Sequence, residues 1–339
     1  MIRRAASVVF KLSQRIVDLA QTARGFLRPR RNYVVERWTG DRSLVGARRI
    51  AIFVHYDRRG RVHDYVIYYL KALVEAGFEI IFVSNSPRVF RKNVPTIRPM
   101  CSLILRRKNI GYDFGAYKDG FFAIPDPTQL DALIFANDSA YGPFSNLAAL
   151  LARCDDSAAI WSITDSWDIR FHLQSYFLLC KREALTNPWM VAFWRKARYF
   201  QSKRVVVRRY EVRLTQEAIR AGLRCAALFP HRRVVEALSS AVLNDKLLER
   251  DGISDQHRAF LRRVYEAIDR GAPVNTTHFF WDYLIGELGC PFLKRELLAA
   301  NPMHVPFLNQ WRRIIENTTD YDTDLIAQHL EATIRNRAI

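Results

Sequence analysis

Long apolar runs are missing from this chain of 339 residues. No stretch of roughly 18 uninterrupted apolar residues occurs, which excludes a bilayer-spanning helix. Cysteine is sparse: the five (Cys101, Cys154, Cys180, Cys225, Cys290) are odd in number and far apart, with no Cys-x-x-Cys and no Cys/His cluster. That argues against structural zinc and against a disulfide framework, and fits a reducing cytoplasm. The short signatures of common enzymes are missing too. The turn after the first strand read below, Asp57-Arg-Arg-Gly60, has neither Gly-x-Gly-x-x-Gly nor Gly-x-x-x-x-Gly-Lys-Ser/Thr, so a dinucleotide enzyme or P-loop NTPase is not expected. A Gly-x-Ser-x-Gly elbow and a His-Glu-x-x-His pair are also missing. Acidic residues fall short of basic ones, 34 Asp+Glu against 52 Lys+Arg, for a net charge of +18. Disorder is excluded by the 49% apolar content, which is enough for a sizeable core.

A surplus of positive charge implies an anionic partner: nucleic acid, acidic lipid or a phosphate-bearing substrate. Residues 1–31 hold eight basic side chains and one acid, Asp18. Along 5–27, Val8, Val9, Leu12, Ile16, Leu19 and Ala20 recur near helical spacing with basic residues between them. This is the pattern of an interfacial helix on an anionic membrane, or of an amphipathic helix packed on the domain. Lys11, Arg15 and Asp18 interrupt the place where a secretion signal has its apolar core. The expected location is therefore the cytoplasm, peripheral on the inner face of the cytoplasmic membrane. No nucleic-acid recognition module is evident, and the basic excess on an apolar-striped helix favours lipid over nucleic acid.

From residue 49 the chain alternates. Arg49–Asp57 reads as a buried strand, His63–Ala76 as a helix closed by Gly77, and Phe78–Ser84 as a second strand. Strand, helix, strand over about 35 residues is a βαβ unit, which requires a parallel sheet. Ser102–Arg106, Ala132–Ala136, Ala158–Ile163 and Ser175–Cys180 continue the strands, with a helix at Tyr112–Phe122. From Pro188 helices dominate: 189–201, 211–221, 232–249, 254–270, 276–287 and 323–336. The expected fold class is α/β: a mostly parallel sheet flanked by helices, a C-terminal helical portion and an N-terminal amphipathic basic helix.

Ligands of an open parallel sheet sit at the carboxyl ends of its strands. Those ends carry His55, Tyr56 and Asp57; Ser84 and Asn85; Arg106, Arg107 and Lys108; Asn137, Asp138 and Ser139; and Thr164 and Asp165. The set suits a nucleotide diphosphate, with cations for its phosphates. Three cations and a glycine turn precede the helix at Tyr112, which makes an anion site there; Asp113 in its first turn is alternatively a cap. At Asn137-Asp138-Ser139 one carboxylate and two neutral oxygens form a thin site for a hard cation such as Mg²⁺ or Mn²⁺. The Asp-x-Asp spacings lie at 320–324, where capping is the expected role.

Five blocks carry a resemblance: Asn109-Ile-Gly-Tyr-Asp-Phe-Gly-Ala-Tyr-Lys118, Asn137-Asp-Ser-Ala-Tyr-Gly-Pro143, His172-Leu-Gln-Ser-Tyr-Phe177, Asn275-Thr-Thr-His-Phe-Phe-Trp-Asp282 and Pro291-Phe-Leu-Lys-Arg-Glu-Leu297. In order, from about 48 to about 310, they resemble the rhamnan synthesis protein F family of bacterial polysaccharide-assembly glycosyltransferases. The resemblance implies a GT-A-like fold, related to the Rossmann fold. It also implies transfer of a deoxysugar, typically L-rhamnose from its dTDP donor, to a growing polysaccharide or lipid-linked acceptor. A non-catalytic subunit that binds nucleotide sugar or glycan is the alternative.

On this reading residues 1–47 are a basic helix and linker, 48–310 the transferase domain (48–185 a nucleotide-sugar core, 186–310 a mostly helical acceptor side), and 311–339 a C-terminal helix. Donor binding falls to the strand-end residues His55, Tyr56, Asp57, Asn85, Arg106, Arg107, Lys108, Asn137, Asp138 and Ser139. Asn109, Gly111, Tyr112, Asp113 and Lys118 join them from the first block, and Lys294 and Arg295 from the last. Asp138 is the metal candidate. Asp165 is the first choice of base and Glu211 the second. His172, Gln174 and Trp281 are placed on the acceptor side, although Trp281 with Phe279 and Phe280 equally suits the core. His278 is a further candidate ligand.

Overall fold

The computed structural model describes residues 17–29, 31–243 and 254–334. Its strands are β1 (Val34–Thr39), β2 (Arg49–His55), β3 (Glu79–Ser84), β4 (Leu103–Arg107), β5 (Ala132–Asn137), β6 (Ala140–Tyr141), β7 (Ile160–Ser166), β8 (His172–Leu173), β9 (Phe177–Lys181), β10 (Cys225–Phe229) and β11 (Leu293–Lys294). The large sheet runs β1-β4-β3-β2-β5-β9-β7-β10, with β8 attached to β7. Six of these strands, β2, β3, β4, β5, β7 and β10, point the same way, while β1 and β9 run against them. Continuous apolar strands such as β2, buried after its first residue, require cover on both faces. The helices Asp64–Glu75, Trp311–Thr318 and Asp324–Thr333 cover one face, and Tyr112–Phe121, Pro188–Lys196 and Val212–Arg220 the other.

Strand order decides where a site can form. The chain steps outward from β2 to β3 to β4, then returns to lay β5 on the opposite side of β2. The order reverses between β2 and β5, and an open α/β sheet has its crevice at such a reversal. Register keeps the ends level, with His55 opposite Ser84 and Val54 opposite Asn137. The helix Tyr112–Phe121 lies close on this part of the sheet because Gly120 has no side chain; a Cβ there would come within 2.6 Å of Ile52 Cγ2.

Several expectations need correction. Residues 32–48, read as a linker, contain β1, an edge strand antiparallel to β4. Its alternating half-buried and exposed residues, Val-Val-Glu-Arg-Trp-Thr, are too polar to stand out as a strand. The supposedly helical second half contributes β10, which pairs in parallel with β7. A helical stretch begins already at Lys203 and passes through a π turn at Val207–Glu211 before Val212–Arg220. The helix expected at 276–287 is broken at Phe280 into Thr276–Phe279 and Trp281–Gly286. The C-terminal helix is two helices, joined through a turn in which Asp322 accepts the Asp324 N–H at 2.9 Å. Residues 17–27 are helical; the rest of the expected N-terminal helix, residues 244–249 and residues 335–336 lie outside the described residues. No helix among the described residues is long and apolar enough to cross a membrane.

Candidate functional site

A cavity of about 600 Å³ opens at the β2/β5 reversal. Tyr56 and Asn137–Ser139 form its floor. The Asn137 side chain knits that floor together: Oδ1 accepts the Ser139 N–H at 3.0 Å, and Nδ2 donates to Asp113 Oδ2 at 3.1 Å. Asp138 Oδ2 accepts the Tyr56 N–H at 3.2 Å and the Arg295 Nη1 at 3.0 Å. The same guanidinium nitrogen donates to the Asp138 carbonyl at 2.8 Å and to the Tyr65 hydroxyl.

Arg295 reaches a residue 157 positions away through a small second sheet. β11 pairs antiparallel with β6, Leu293 opposite Tyr141 and Lys294 opposite Ala140, and the Arg295 N–H donates to the Ser139 carbonyl at 2.9 Å. Gly142 makes this approach possible. At φ +122° it takes a conformation that favours glycine, and a Cβ there would meet the Pro291 carbonyl oxygen at 2.3 Å.

The opposite wall comes from the β7–β9 connections and the π-containing helical stretch. Glu211, at the end of the π turn, accepts the Ser175 N–H at 2.8 Å and its hydroxyl at 2.9 Å. Lys203 pairs with Glu296 at 3.0 Å, and the Lys294 ammonium stands 3.7 Å from the Tyr176 ring centroid. His172, Gln174 and His278 also line the cavity. Gln174 is held by the Thr164 hydroxyl, and His172 Nδ1 by the Arg170 carbonyl at 2.8 Å. Exposed apolar side chains gather at the mouth: Tyr56, Tyr112 and Ile169 line it, and Trp167 stands between the lining residues Ser166 and Asp168.

The charges here are tuned by their surroundings. Burial, with the negative charges of Asp138 and Glu211, pushes the Asp113 carboxyl up to about 7. Burial pulls Lys294 down to about 8 and His278 down to about 4. For Arg295 burial opposes the charge, but Asp138, Tyr65 and Tyr141 together outweigh it and the guanidinium is held more firmly ionised than usual.

The sequence model of the family described as rhamnan synthesis protein F matches residues 80–249, half of the chain. The chain belongs to the rhamnan synthesis protein F family. That span contains Asn137–Ser139 of the floor and Glu211, while Tyr56, Lys294 and Arg295 lie outside it. Virulence protein VirA of Vibrio anguillarum is 27% identical over 280 residues, 81% of this chain and 87% of that protein. The uncharacterised protein y4gN of Sinorhizobium fredii is 29% identical over 197 residues, 56% of this chain; the chain spans about half (51%) of that relative's length. Among solved structures, the bifunctional glycosyltransferase WbbM superposes with a TM-score of 0.28 at 10% identity, over 56% of this chain and 40% of that one.

This member of the rhamnan synthesis protein F family brings together Tyr56, Tyr112, Asp113, Asn137, Asp138, Ser139, His172, Gln174, Glu211, Lys294 and Arg295 of the expected residues. Others go elsewhere. The three cations at the end of β4 do not form an anion site. Arg106 pairs with Glu36 of the unforeseen β1. Arg107 is fully buried against Asp119 at 2.7 Å and donates to the Ile110 carbonyl at 2.7 Å. Lys108 is exposed outside the cavity, its N–H on the Tyr33 carbonyl. Asn109 and Gly111 are tied by their backbones to Gln201, and buried Lys118 donates to the Ala197 carbonyl. His55 is buried between Ser84 and Ser86, and Asn85 accepts from Arg107. Asp57 organises its own turn by accepting the N–H groups of Arg59 and Arg61.

Asp165 lies outside the cavity too. It is buried and caps the helix His231–Leu243 by accepting the His231 N–H at 2.5 Å; its pKa is raised by burial. Trp281 is core, stacked with Phe307 at 5.9 Å. For Asp138 as a metal ligand the fit is poor, because a guanidinium and the Tyr56 N–H already share its Oδ2. Among the described residues no three His, Cys, Asp or Glu side chains converge to hold an ion. The residue reading missed Lys203, Ser175, Tyr176 and Asn275; the last three sit in blocks quoted for the family resemblance, which was the available signal.

Proposed function

We propose that this chain is a glycosyltransferase of polysaccharide assembly. It moves a sugar from a nucleotide-diphosphate donor to a growing glycan or lipid-linked acceptor, and L-rhamnose from its dTDP donor is the sugar the family's description favours. The observation that carries the reading is the cavity at the β2/β5 reversal, whose floor sets a carboxylate and a guanidinium side by side. The family's tie to rhamnan synthesis supports it.

The chemistry needs three things of this cavity. The acceptor hydroxyl attacks the anomeric carbon, the bond from that carbon to the diphosphate oxygen breaks with its electron pair leaving on the diphosphate, and the hydroxyl proton goes to a base. Arg295 and Lys294 face the departing charge. Glu211, across the cavity and steadied by Ser175, is the base in place of Asp165. Trp167, Tyr56 and Tyr112 offer exposed rings to the flat faces of a base or pyranose, a role Trp281 cannot fill from the core. The N-terminal segment, with Leu19 and Leu27 exposed beside Arg24 and Arg28, brings the enzyme to an anionic membrane surface.

Transfer of radiolabelled sugar from dTDP-rhamnose to a membrane-derived acceptor tests the proposal, with Asp138→Ala as control. The expected result is transfer that disappears in a variant of unchanged thermal unfolding. Undiminished product from that variant would remove Asp138 from the mechanism, and no product from the intact chain with any nucleotide sugar would leave it a binding subunit.

A further inference from the structure

Resting on the glycosyl-transfer reading, we infer that Arg295 does the work commonly given to a divalent cation: its guanidinium neutralises the donor diphosphate with help from Lys294, and Asp138 positions Arg295 rather than coordinating a metal. The argument begins with the carboxylates. Mg²⁺ demands near-octahedral oxygen ligands at about 2.0–2.1 Å and takes one or two carboxylates besides substrate oxygens and water. Four carboxylates of the cavity are committed to other partners: Asp138 to Arg295 and the Tyr56 N–H, Glu211 to Ser175, Glu296 to Lys203, and Asp113 to Asn137. Asp168, on the β7–β8 loop, also lines the cavity, but no three His, Cys, Asp or Glu side chains converge to hold an ion among the described residues.

The guanidinium, in contrast, is built in. One of its nitrogens serves three acceptors: the Asp138 carboxylate at 3.0 Å, the Asp138 carbonyl at 2.8 Å and the Tyr65 hydroxyl. An ion entering at Asp138 Oδ2 would compete with the guanidinium and the Tyr56 N–H for that oxygen. Arg295 presents a planar fork of donors suited to phosphate oxygens, and it lines the cavity. Lys294 lines it as well, because the chain turns from β11 into the helix Arg295–Ala300 between these two residues. Two basic side chains thus sit next to each other in the cavity, and the β6–β11 ladder holds them there.

Calorimetric titration of the full chain with dTDP and with inorganic pyrophosphate, in EDTA and in millimolar MgCl₂, tests this. Affinity in EDTA should stay within about threefold of that in MgCl₂. Arg295→Ala should weaken it by about tenfold or more in both buffers, the size of one lost charge-assisted contact. Arg295→Lys, which keeps the charge and the fold, should recover part of the loss. Binding that requires Mg²⁺, or Arg295→Ala and Arg295→Lys variants that bind in EDTA as the parent does, would overturn the inference while leaving glycosyl transfer standing. Failure to bind either ligand in both buffers would overturn both.

Discussion

Two carboxylates, Glu211 and Asp165, separate what a residue's type implies from what its position allows. Both are plausible bases by type, yet Glu211 faces the cavity and Asp165 closes a helix end. General-base catalysis contributes roughly 10²–10⁴-fold, so Glu211→Gln should lower kcat by about that factor, whereas Asp165→Asn should leave kcat within a few-fold; steady-state kinetics at saturating donor decide. Asp113 makes a different prediction. Its carboxyl holds a proton up to about pH 7 in the folded protein but only to about 3.8 in the open chain. Between these values the folded state binds more protons, so stability falls as pH rises from about 4 to about 7 and is unaffected outside that window. Denaturant unfolding across this range should show the decline, and Asp113→Asn should remove it. Of the strand-end residues read by type, Tyr56 and Asn137–Ser139 line the cavity. Residue type misjudged Arg106 and Arg107, because their partners Glu36 and Asp119 were invisible until β1 and the neighbouring helix had places.

Among the elements, the β6–β11 ladder has only two residue pairs, yet it carries Lys294 and Arg295 into the site. Its geometry depends on Gly142, so Gly142→Ala should cost about 1–3 kcal/mol of unfolding free energy through backbone strain and the Pro291 clash. It should also weaken pyrophosphate binding by displacing Lys294 and Arg295; denaturant unfolding and calorimetry measure the two effects separately. Two-residue strands have no periodicity to read, which is why this element was not anticipated, even though both of its halves lay inside blocks quoted for the family. The buried strands β2 to β5 were legible because continuous apolar runs bounded by turn residues have few other interpretations. β1 and the π turn were not: the first alternates charge with bulk on a sheet edge, and the second lies within a continuous helical stretch.

For the whole molecule, the βαβ alternation was sufficient to expect a ligand crevice at the carboxyl ends of the strands, and the strand order puts the cavity at the β2/β5 reversal. The surplus of +18 does not concentrate in that cavity, where Asp113, Asp138, Asp168, Glu211 and Glu296 face Lys203, Lys294 and Arg295. The positive charge therefore belongs to the outer surface. The helix at 17–27 docks through Phe26 on Phe200 at 5.7 Å and Asp18 on Ser202 at 3.0 Å, which leaves Leu19 and Leu27 outward. Removing residues 1–16 and replacing both leucines with serine should abolish sedimentation with vesicles rich in anionic phospholipid. Association of the intact chain should weaken with salt; sedimentation of the altered chain at parental levels would refute the membrane role.

The ladder between residues 140–141 and 293–294 also has a consequence in time. A nascent chain leaving the ribosome can assemble β2 to β5 early, since these neighbours are local, but long-separation contacts form late. The guanidinium that Asp138 holds is translated only after most of the protein has emerged. A truncated product ending before residue 290 therefore keeps β2 to β5 but lacks the guanidinium that pairs with Asp138.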